Sequence, residues 1–106
     1  MNFAGFDWDR GNRGKCEKHG VSAAEIEEIF TRTVLVSPDP AHSAAEERFK
    51  AIGLTANGRR LFVVFTWRTR GEELLLRPIS ARFMHAKEIA AYEEIASDKK
   101  ELPGSQ

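Results

Sequence analysis

Residues 48–67 read RFKAIGLTANGRRLFVVFTW, two apolar segments separated by Asn57-Gly58. Asn-Gly is the dipeptide most typical of a two-residue type I′ turn, so these segments predict a β-hairpin. In such a hairpin the numbers of paired residues sum to 115, as 57 and 58 do. This register places Arg48 opposite Trp67 and Glu47 opposite Arg68.

Further apolar segments extend the hairpin into a sheet. Residues 33–36 predict a strand before it, residues 74–82 predict one after it, and residues 6–9 predict a short opening strand. Pro78 interrupts the segment 74–82 and removes a backbone donor, which indicates an edge position or a bulge there.

Three other segments have features of helices. Ser22 and Glu25 have the spacing of a capping box, which predicts the start of a helix. The basic stretch before them is expected to be irregular or helical and to end at Gly20, a residue that tolerates positive φ. A last helix is predicted from His85 to about residue 97, with Glu88 at its third position.

These elements predict an α+β fold: a single antiparallel β-sheet of about four strands, with helices packed mainly on one face. A chain of 106 residues has room for one domain, which we assign to residues 1–97. Residues 98–106 read as a polar tail.

The composition is that of a globular protein, with 42% hydrophobic and 30% charged residues. No apolar run approaches the ~20 residues of a membrane helix, so we expect no membrane association. Cys16 is the single cysteine, which excludes an internal disulfide and fits a reducing cytoplasm.

The net charge is zero, but the charges are unevenly distributed along the chain. Residues 10–19 carry four Lys and Arg residues against one Glu, and residues 59–82 carry six Arg residues against two Glu. Arginine is suited to bidentate contacts with phosphate, so a specific anionic ligand is one interpretation. The other is an ordinary solvated face of mixed charges.

Four short segments, in a fixed order, resemble the BrnT family of small bacterial toxins. They are KHGVS at residues 18–22, HS at 42–43 with EERF at 46–49, ISAR at 79–82, and Glu88 with Tyr92-Glu93. The resemblance extends over roughly residues 6 to 95. It implies a RelE-like fold and a type II toxin that cleaves RNA and inhibits growth until a small antitoxin binds it.

RNA cleavage through the substrate's own 2′-hydroxyl requires a base, an acid and cations that stabilise the pentacoordinate phosphate. This route needs neither a metal nor a cofactor. The histidines and Cys16 lack the ligand spacing typical of a zinc site, and no glycine-rich P-loop is present. We therefore expect a metal-free endoribonuclease with no cofactor.

His19 and Glu47 are the predicted acid–base pair, because histidine ordinarily titrates near neutrality and a buried glutamate can do so. Each has a structural alternative. His19 is placed to interact with the C-terminus of the helix that ends at Gly20. Glu47 is placed to form a cross-strand ion pair with Arg68.

Arg48 and Arg82 are the predicted phosphate clamps. Arg48 could instead stack on Trp67 across the hairpin, and that contact is compatible with phosphate binding because it would hold the guanidinium in place. Arg82 ends the last predicted strand, where an isolated arginine is often only solvated; the family resemblance favours a role in binding phosphate.

The residues predicted to bind substrate without catalysing the reaction are Lys15, Lys18, Trp67 and His85. Trp67 offers a ring on which a base can stack. His85 is also placed to be the N-cap of the last helix, and His42 lies on a loop from which it could reach the same site.

The predicted partners are RNA and a cognate antitoxin of the ribbon-helix-helix, BrnA-like type, and operator DNA is contacted only through that antitoxin. The antitoxin and its operator come from the resemblance alone. The competing hypothesis is a non-catalytic RNA- or protein-binding module of the same fold, which would bind RNA with a steep salt dependence and release no product.

Overall fold

The computed structural model describes residues 2–94, without the side chain of His42. Along the chain it contains β1 (Gly5–Phe6), α1 (Arg10–Glu17), α2 (Ala23–Ile29), β2 (Leu35–Pro38), a 3-10 turn (Pro40–His42), β3 (Phe49–Leu54), β4 (Arg60–Arg70) and β5 (Glu73–Phe83). Residues 86–94 are helical and are called α3. The predicted end of this last helix and the polar tail lie outside the described residues.

The α+β class is confirmed, but the sheet is larger than predicted and is not purely antiparallel. Among residues 2–94 it has five strands in the order β1-β5-β4-β3-β2, and β1 pairs with β5 in parallel. The antiparallel expectation came from strands joined by hairpins. β1 is not joined in this way; it is a two-residue segment that pairs with the free edge of β5, where the Ala4 and Asp7 amides donate to carbonyl oxygens of β5.

The predicted hairpin is present, but its register is shifted by one residue. Phe49 pairs with Phe65 and Leu54 pairs with Arg60, so that paired numbers sum to 114. The Thr55 N–H donates to the Arg59 carbonyl oxygen, which leaves a loop of three residues, 56–58. Gly58 takes a positive φ, of +83°, but Asn57 does not adopt the positive φ that a type I′ turn requires. The predicted pairs Arg48–Trp67 and Glu47–Arg68 are therefore wrong.

The helix after Ser22 forms as predicted, since the Ser22 and Glu25 side chains each bond to the other residue's backbone N–H. Gly20 has a φ of +80° and follows α1, also as predicted. β2 lies two residues later than the predicted strand 33–36, since Leu35 to Pro38 are the residues that pair with β3.

Helix α2 packs on one face of the sheet, which we call the helix-covered face, and α1 packs along β5; the main core lies between these helices and the strands. Cys16 of α1 and Ile26 and Ile29 of α2 pack with buried strand residues, among them Phe65, which is fully buried. Gly53 permits this close packing, because a Cβ built there would lie 2.7 Å from Cβ of Ile29.

A β-bulge in β5 decides which side chains share the other face. Val64 pairs with Ser80 and Phe65 pairs with Pro78, so Ile79 is the extra residue. Side chains alternate along a strand, and without an extra residue Arg77 and Arg82 would point to opposite faces. With it, both lie on the second face. Both alternatives predicted for Pro78 are confirmed: the bulge lies beside it, and because β1 pairs only with Leu75 and Leu76, no strand of the described residues pairs with Pro78 on the side away from β4.

We use "second face" for the strand positions that alternate with the core positions. They include Phe62, Val64, Thr66 and Arg68 on β4, and Arg77, Ser80 and Arg82 on β5.

Candidate active site

One end of the second face is a groove formed by the residue after α1 together with the stretch that joins β5 to α3. His19 follows α1, Arg82 lies near the end of β5, and His85 directly precedes α3. Two adjoining depressions, of about 260 and 350 Å³, are both lined by His19 and Arg82, and the second also by His85. We call them together the His19 groove; its floor includes Phe62, Val64 and Ser80.

Arg82 is held in a defined orientation within this groove. Its two terminal nitrogens donate to the two carboxylate oxygens of Glu88, at 2.7 and 2.8 Å. Its guanidinium also lies 4.9 Å from the ring centroid of Phe62. A guanidinium has five N–H donors, so the contact with Glu88 leaves three for an anionic ligand.

Glu88 also connects Arg82 to His85. The backbone N–H of His85 donates to Glu88 at 2.9 Å, which confirms the predicted N-cap position of His85. The bonds from Arg82 and from this backbone N–H lower the pKa of Glu88 to about 2. Glu88 therefore remains a carboxylate at neutral pH and keeps Arg82 in place beside His85.

The other end of the second face carries a larger cavity, of about 470 Å³. We call it the arginine cavity, because its lining contains five cationic side chains and two carboxylates: Arg10, Lys15, Arg48, Arg68, Arg77, Asp9 and Glu46. Two of the predicted site residues, Lys15 and Arg48, lie here and not in the His19 groove.

Helix α1 forms one wall of this cavity, and Asn12 fixes it against the sheet. The buried Asn12 amide donates to the carbonyl oxygens of Asp7 and Pro78, at 2.9 and 2.7 Å. Its side-chain oxygen accepts from the Asp9 N–H while Asp9 accepts from the Asn12 N–H, which caps the helix. The spacing Asp9-x-x-Asn12 was the available signal for this helix start.

Glu46 is the acidic residue that sequence reasoning missed. It bonds to Arg68 at 2.6 Å and lies 3.7 Å from Arg48, and Arg68 lowers its pKa. Glu46 precedes β3, and it is the Glu46 side chain, not that of Glu47, that meets Arg68.

The structure does not bring Glu47 to His19. The Glu47 side chain is exposed and lines a separate depression with Arg48, Pro38 and Pro40. The backbone oxygen of Glu47 accepts from the Thr66 hydroxyl at 2.8 Å.

Trp67 and Lys18 also lie apart from the groove. Trp67 packs on the helix-covered face, with ring centroids 5.4 Å from Phe65 and 5.7 Å from Phe3. Lys18 is the exposed C-cap residue of α1 and lines neither the His19 groove nor the arginine cavity.

Other chemistries find little support among the described residues. No group of three His, Cys, Asp or Glu side chains there is placed to hold a metal ion. Burial raises the pKa of the Cys16 thiol to about 11, so Cys16 is unsuited to act as a nucleophile. No helix in this part of the chain combines the length and apolar character needed to cross a membrane.

Comparison with known proteins identifies the family. A search of curated proteins finds no match. The family model described as "Ribonuclease toxin, BrnT, of type II toxin-antitoxin system" matches residues 8–88, which include the His19 groove and the arginine cavity. Membership implies an RNA substrate and an antitoxin partner. The chain belongs to the BrnT family of ribonuclease toxins.

Proposed function

We propose that the protein is a metal-free endoribonuclease that cleaves RNA in the His19 groove and thereby inhibits growth. The observation that carries this proposal is that His19, from the end of α1, lines the same groove as Arg82 and His85, more than 60 residues later in the sequence. Two histidines and a fixed arginine supply the acid, the base and the cation that cleavage through the 2′-hydroxyl needs.

The reaction follows from these groups. One histidine, in its neutral form, takes the proton of the 2′-hydroxyl while the 2′-oxygen attacks the adjacent phosphorus. The other histidine, protonated, gives its proton to the 5′-oxygen as the phosphorus–oxygen bond breaks. The products are a 2′,3′-cyclic phosphate and a 5′-hydroxyl. Arg82 stabilises the additional negative charge on the phosphate through the donors that Glu88 leaves free.

Glu47 was predicted to be the second acid–base residue beside His19. The geometry favours His85 for that role. Glu47 lines a different depression, whereas His85 lines the same groove as His19 and Arg82. His85→Ala and Glu47→Gln distinguish the two assignments. We expect His85→Ala to lower the cleavage rate by at least about a hundredfold. A comparable loss in Glu47→Gln, with His85→Ala unaffected, would restore Glu47 to the reaction.

The biological setting of the proposal follows from the family. The protein would act in the cytoplasm and be neutralised by an antitoxin that covers its basic second face. We propose an antitoxin of the ribbon-helix-helix type, so that the complex contacts operator DNA only through the antitoxin.

The test is incubation of the purified protein with single-stranded RNA in EDTA, followed by analysis of the product termini. We expect fragments with 2′,3′-cyclic phosphate and 5′-hydroxyl ends. Cleavage only after a divalent metal is restored would contradict the metal-free mechanism. Intact RNA that nevertheless shifts in a gel, with binding that weakens steeply as salt rises, would support the binding module.

Expression in a bacterial host without an antitoxin tests the toxin role. We expect growth arrest with degraded RNA for the wild type, and normal growth for Arg82→Ala at equal levels of folded protein. Normal growth with abundant folded wild-type protein would contradict growth inhibition.

A further inference from the structure

We propose that the arginine cavity binds a backbone phosphate of the same RNA, several nucleotides away from the bond cleaved in the His19 groove. The proposal rests on the proposed function, because it assigns a second contact to the same substrate. It gives a role to cationic residues that the cleavage reaction does not use.

The charges of the cavity favour an anion. Its described lining has five cationic side chains against two carboxylates. Arg77 is bonded to Asp9 at 2.9 Å, and Arg68 is bonded to Glu46 at 2.6 Å. These two pairs account for both carboxylates of the lining.

Two cations of the lining, Arg10 and Lys15, have no acidic partner among residues 2–94, and Arg48 shares Glu46 with Arg68 at the longer distance of 3.7 Å. Arg48 is the most informative, because its Nε atom is buried and has no hydrogen-bond partner in the described structure. The guanidinium of Arg48 is therefore not fully bonded within the protein, and because its side chain remains 29% exposed, its terminal nitrogens can donate to a ligand oxygen.

The position of the cavity favours RNA over an isolated small anion. Arg68 of the cavity and Phe62 of the groove lie six residues apart on β4, which corresponds to about 20 Å along the strand. Both side chains are on the second face, and the adjacent residues Ile79 and Ser80 of β5 line the cavity and the groove, respectively. A linear polyanion can occupy both places at once.

The separation sets the length of RNA that benefits from the cavity. At about 3.4 Å per stacked nucleotide, 20 Å corresponds to roughly six nucleotides, and fewer if the strand is extended. A trinucleotide in the groove would not reach the cavity when stacked, and a dodecamer would.

The test measures binding and needs no cleavage. The probes are fluorescent single-stranded trinucleotides and dodecamers with 2′-deoxyribose throughout, which lack the nucleophile, and affinity is followed by fluorescence anisotropy. The variants are Lys15→Gln and Arg48→Gln, and the control is Arg32→Gln, an exposed arginine outside both sites. Lys15 is exposed on α1, so its replacement leaves the fold intact even if that of Arg48 does not.

We expect either cavity variant to weaken binding of the dodecamer by about tenfold and to leave the trinucleotide unchanged. The salt dependence of dodecamer binding should also become shallower, by about 0.7 in the log–log slope for each phosphate that the variant no longer neutralises. In cleavage assays the same variants should raise KM for long RNA without changing kcat.

Three results would overturn the proposal. One is an equal loss for the trinucleotide and the dodecamer; another is an equal loss in Arg32→Gln. The third is unchanged affinity for the dodecamer in Lys15→Gln together with weaker binding of the antitoxin, which would assign the cavity to acidic side chains of that protein. The probes cannot be cleaved, so they report binding independently of the reaction. If the protein binds them as expected but does not cleave RNA, that result contradicts the proposed function and leaves this inference standing.

Discussion

The two faces of the sheet differ in what holds their side chains in place. On the helix-covered face, apolar side chains such as Ile26, Ile29 and Phe65 are fully buried, and no charged residue belongs to the cluster. On the second face, Arg68 and Arg82 are each held by a carboxylate and remain partly exposed. The first arrangement stabilises the fold, and the second leaves cationic donors available to a ligand.

This difference means that stability and activity can be changed separately. Substitutions on the helix-covered face should lower the free energy of unfolding and affect cleavage only by depleting folded protein. Substitutions on the second face should affect cleavage while the protein remains folded.

The largest effect on stability is expected for Phe65→Ala. Phe65 is fully buried and contacts the rings of Phe30, Phe49 and Trp67, with centroids 5.4 to 5.6 Å away. Removing the ring leaves a cavity and should lower the free energy of unfolding by about 3–5 kcal/mol. Urea unfolding measures this change, and a loss below about 1 kcal/mol would show that this face does not dominate stability.

A smaller loss is expected for Gly53→Ala. The added Cβ would lie 2.7 Å from Cβ of Ile29, so α2 and β3 must separate. Overpacking of this kind costs about 1–3 kcal/mol. Gly14→Ala is the matched control, since a Cβ at Gly14 meets no atom within 4 Å. Equal or higher stability of Gly53→Ala relative to the wild type would contradict the close helix–sheet contact.

Phe62→Leu should show most clearly that a change on the second face lowers activity without lowering stability. It removes the ring beneath Arg82 and keeps an apolar side chain on the floor of the groove. The cation–π interaction that it removes is worth about 0.5–1 kcal/mol, so thermal unfolding should change little. The cleavage rate should fall because Arg82 is less well oriented; an unchanged rate would argue against that role of the stacking.

The smallest effect is a pH dependence of the Arg82–Glu88 pair. The pKa of Glu88 lies below its ordinary value of 4.5, at about 2. The stability that this pair contributes is therefore present above about pH 4.5 and is lost as the pH falls toward 2. The difference in melting temperature between the wild type and Glu88→Gln should be visible at pH 6 and disappear near pH 2. A difference that grows on acidification would contradict the assignment.

Local signals in the sequence predicted the elements of the fold better than their pairing. The Ser22 cap and the glycine after α1 depend on neighbouring residues only, and both were predicted correctly. The hairpin register depends on whether the loop has two residues or three, and the Asn-Gly dipeptide is compatible with both. The parallel pairing of β1 is a long-range contact of two residues, which no periodicity can reveal.

Prediction of the candidate site was limited in the same way, because it also depends on how strands and helices pair and pack. Arg68 pairs with Glu46 and not with Glu47, because the chain before β3 does not continue the predicted hairpin pairing. Pro78 indicated a bulge, but its consequence, that Arg77 and Arg82 share a face, required the pairing itself. Arg82 and His85 are close in sequence, but their meeting with His19 depends on how the end of α1 packs beside β5, and only the fold shows that contact.

The most direct test of the central claim is the single-turnover cleavage rate of RNA in EDTA by the wild type and by His19→Ala. Arg32→Gln serves as a charged-surface control, and equal folding is verified by thermal unfolding. We predict that His19→Ala cleaves at least about a hundredfold more slowly, with Arg32→Gln unaffected. Cleavage by folded His19→Ala at the wild-type rate would show that the His19 groove is not where the RNA is cut.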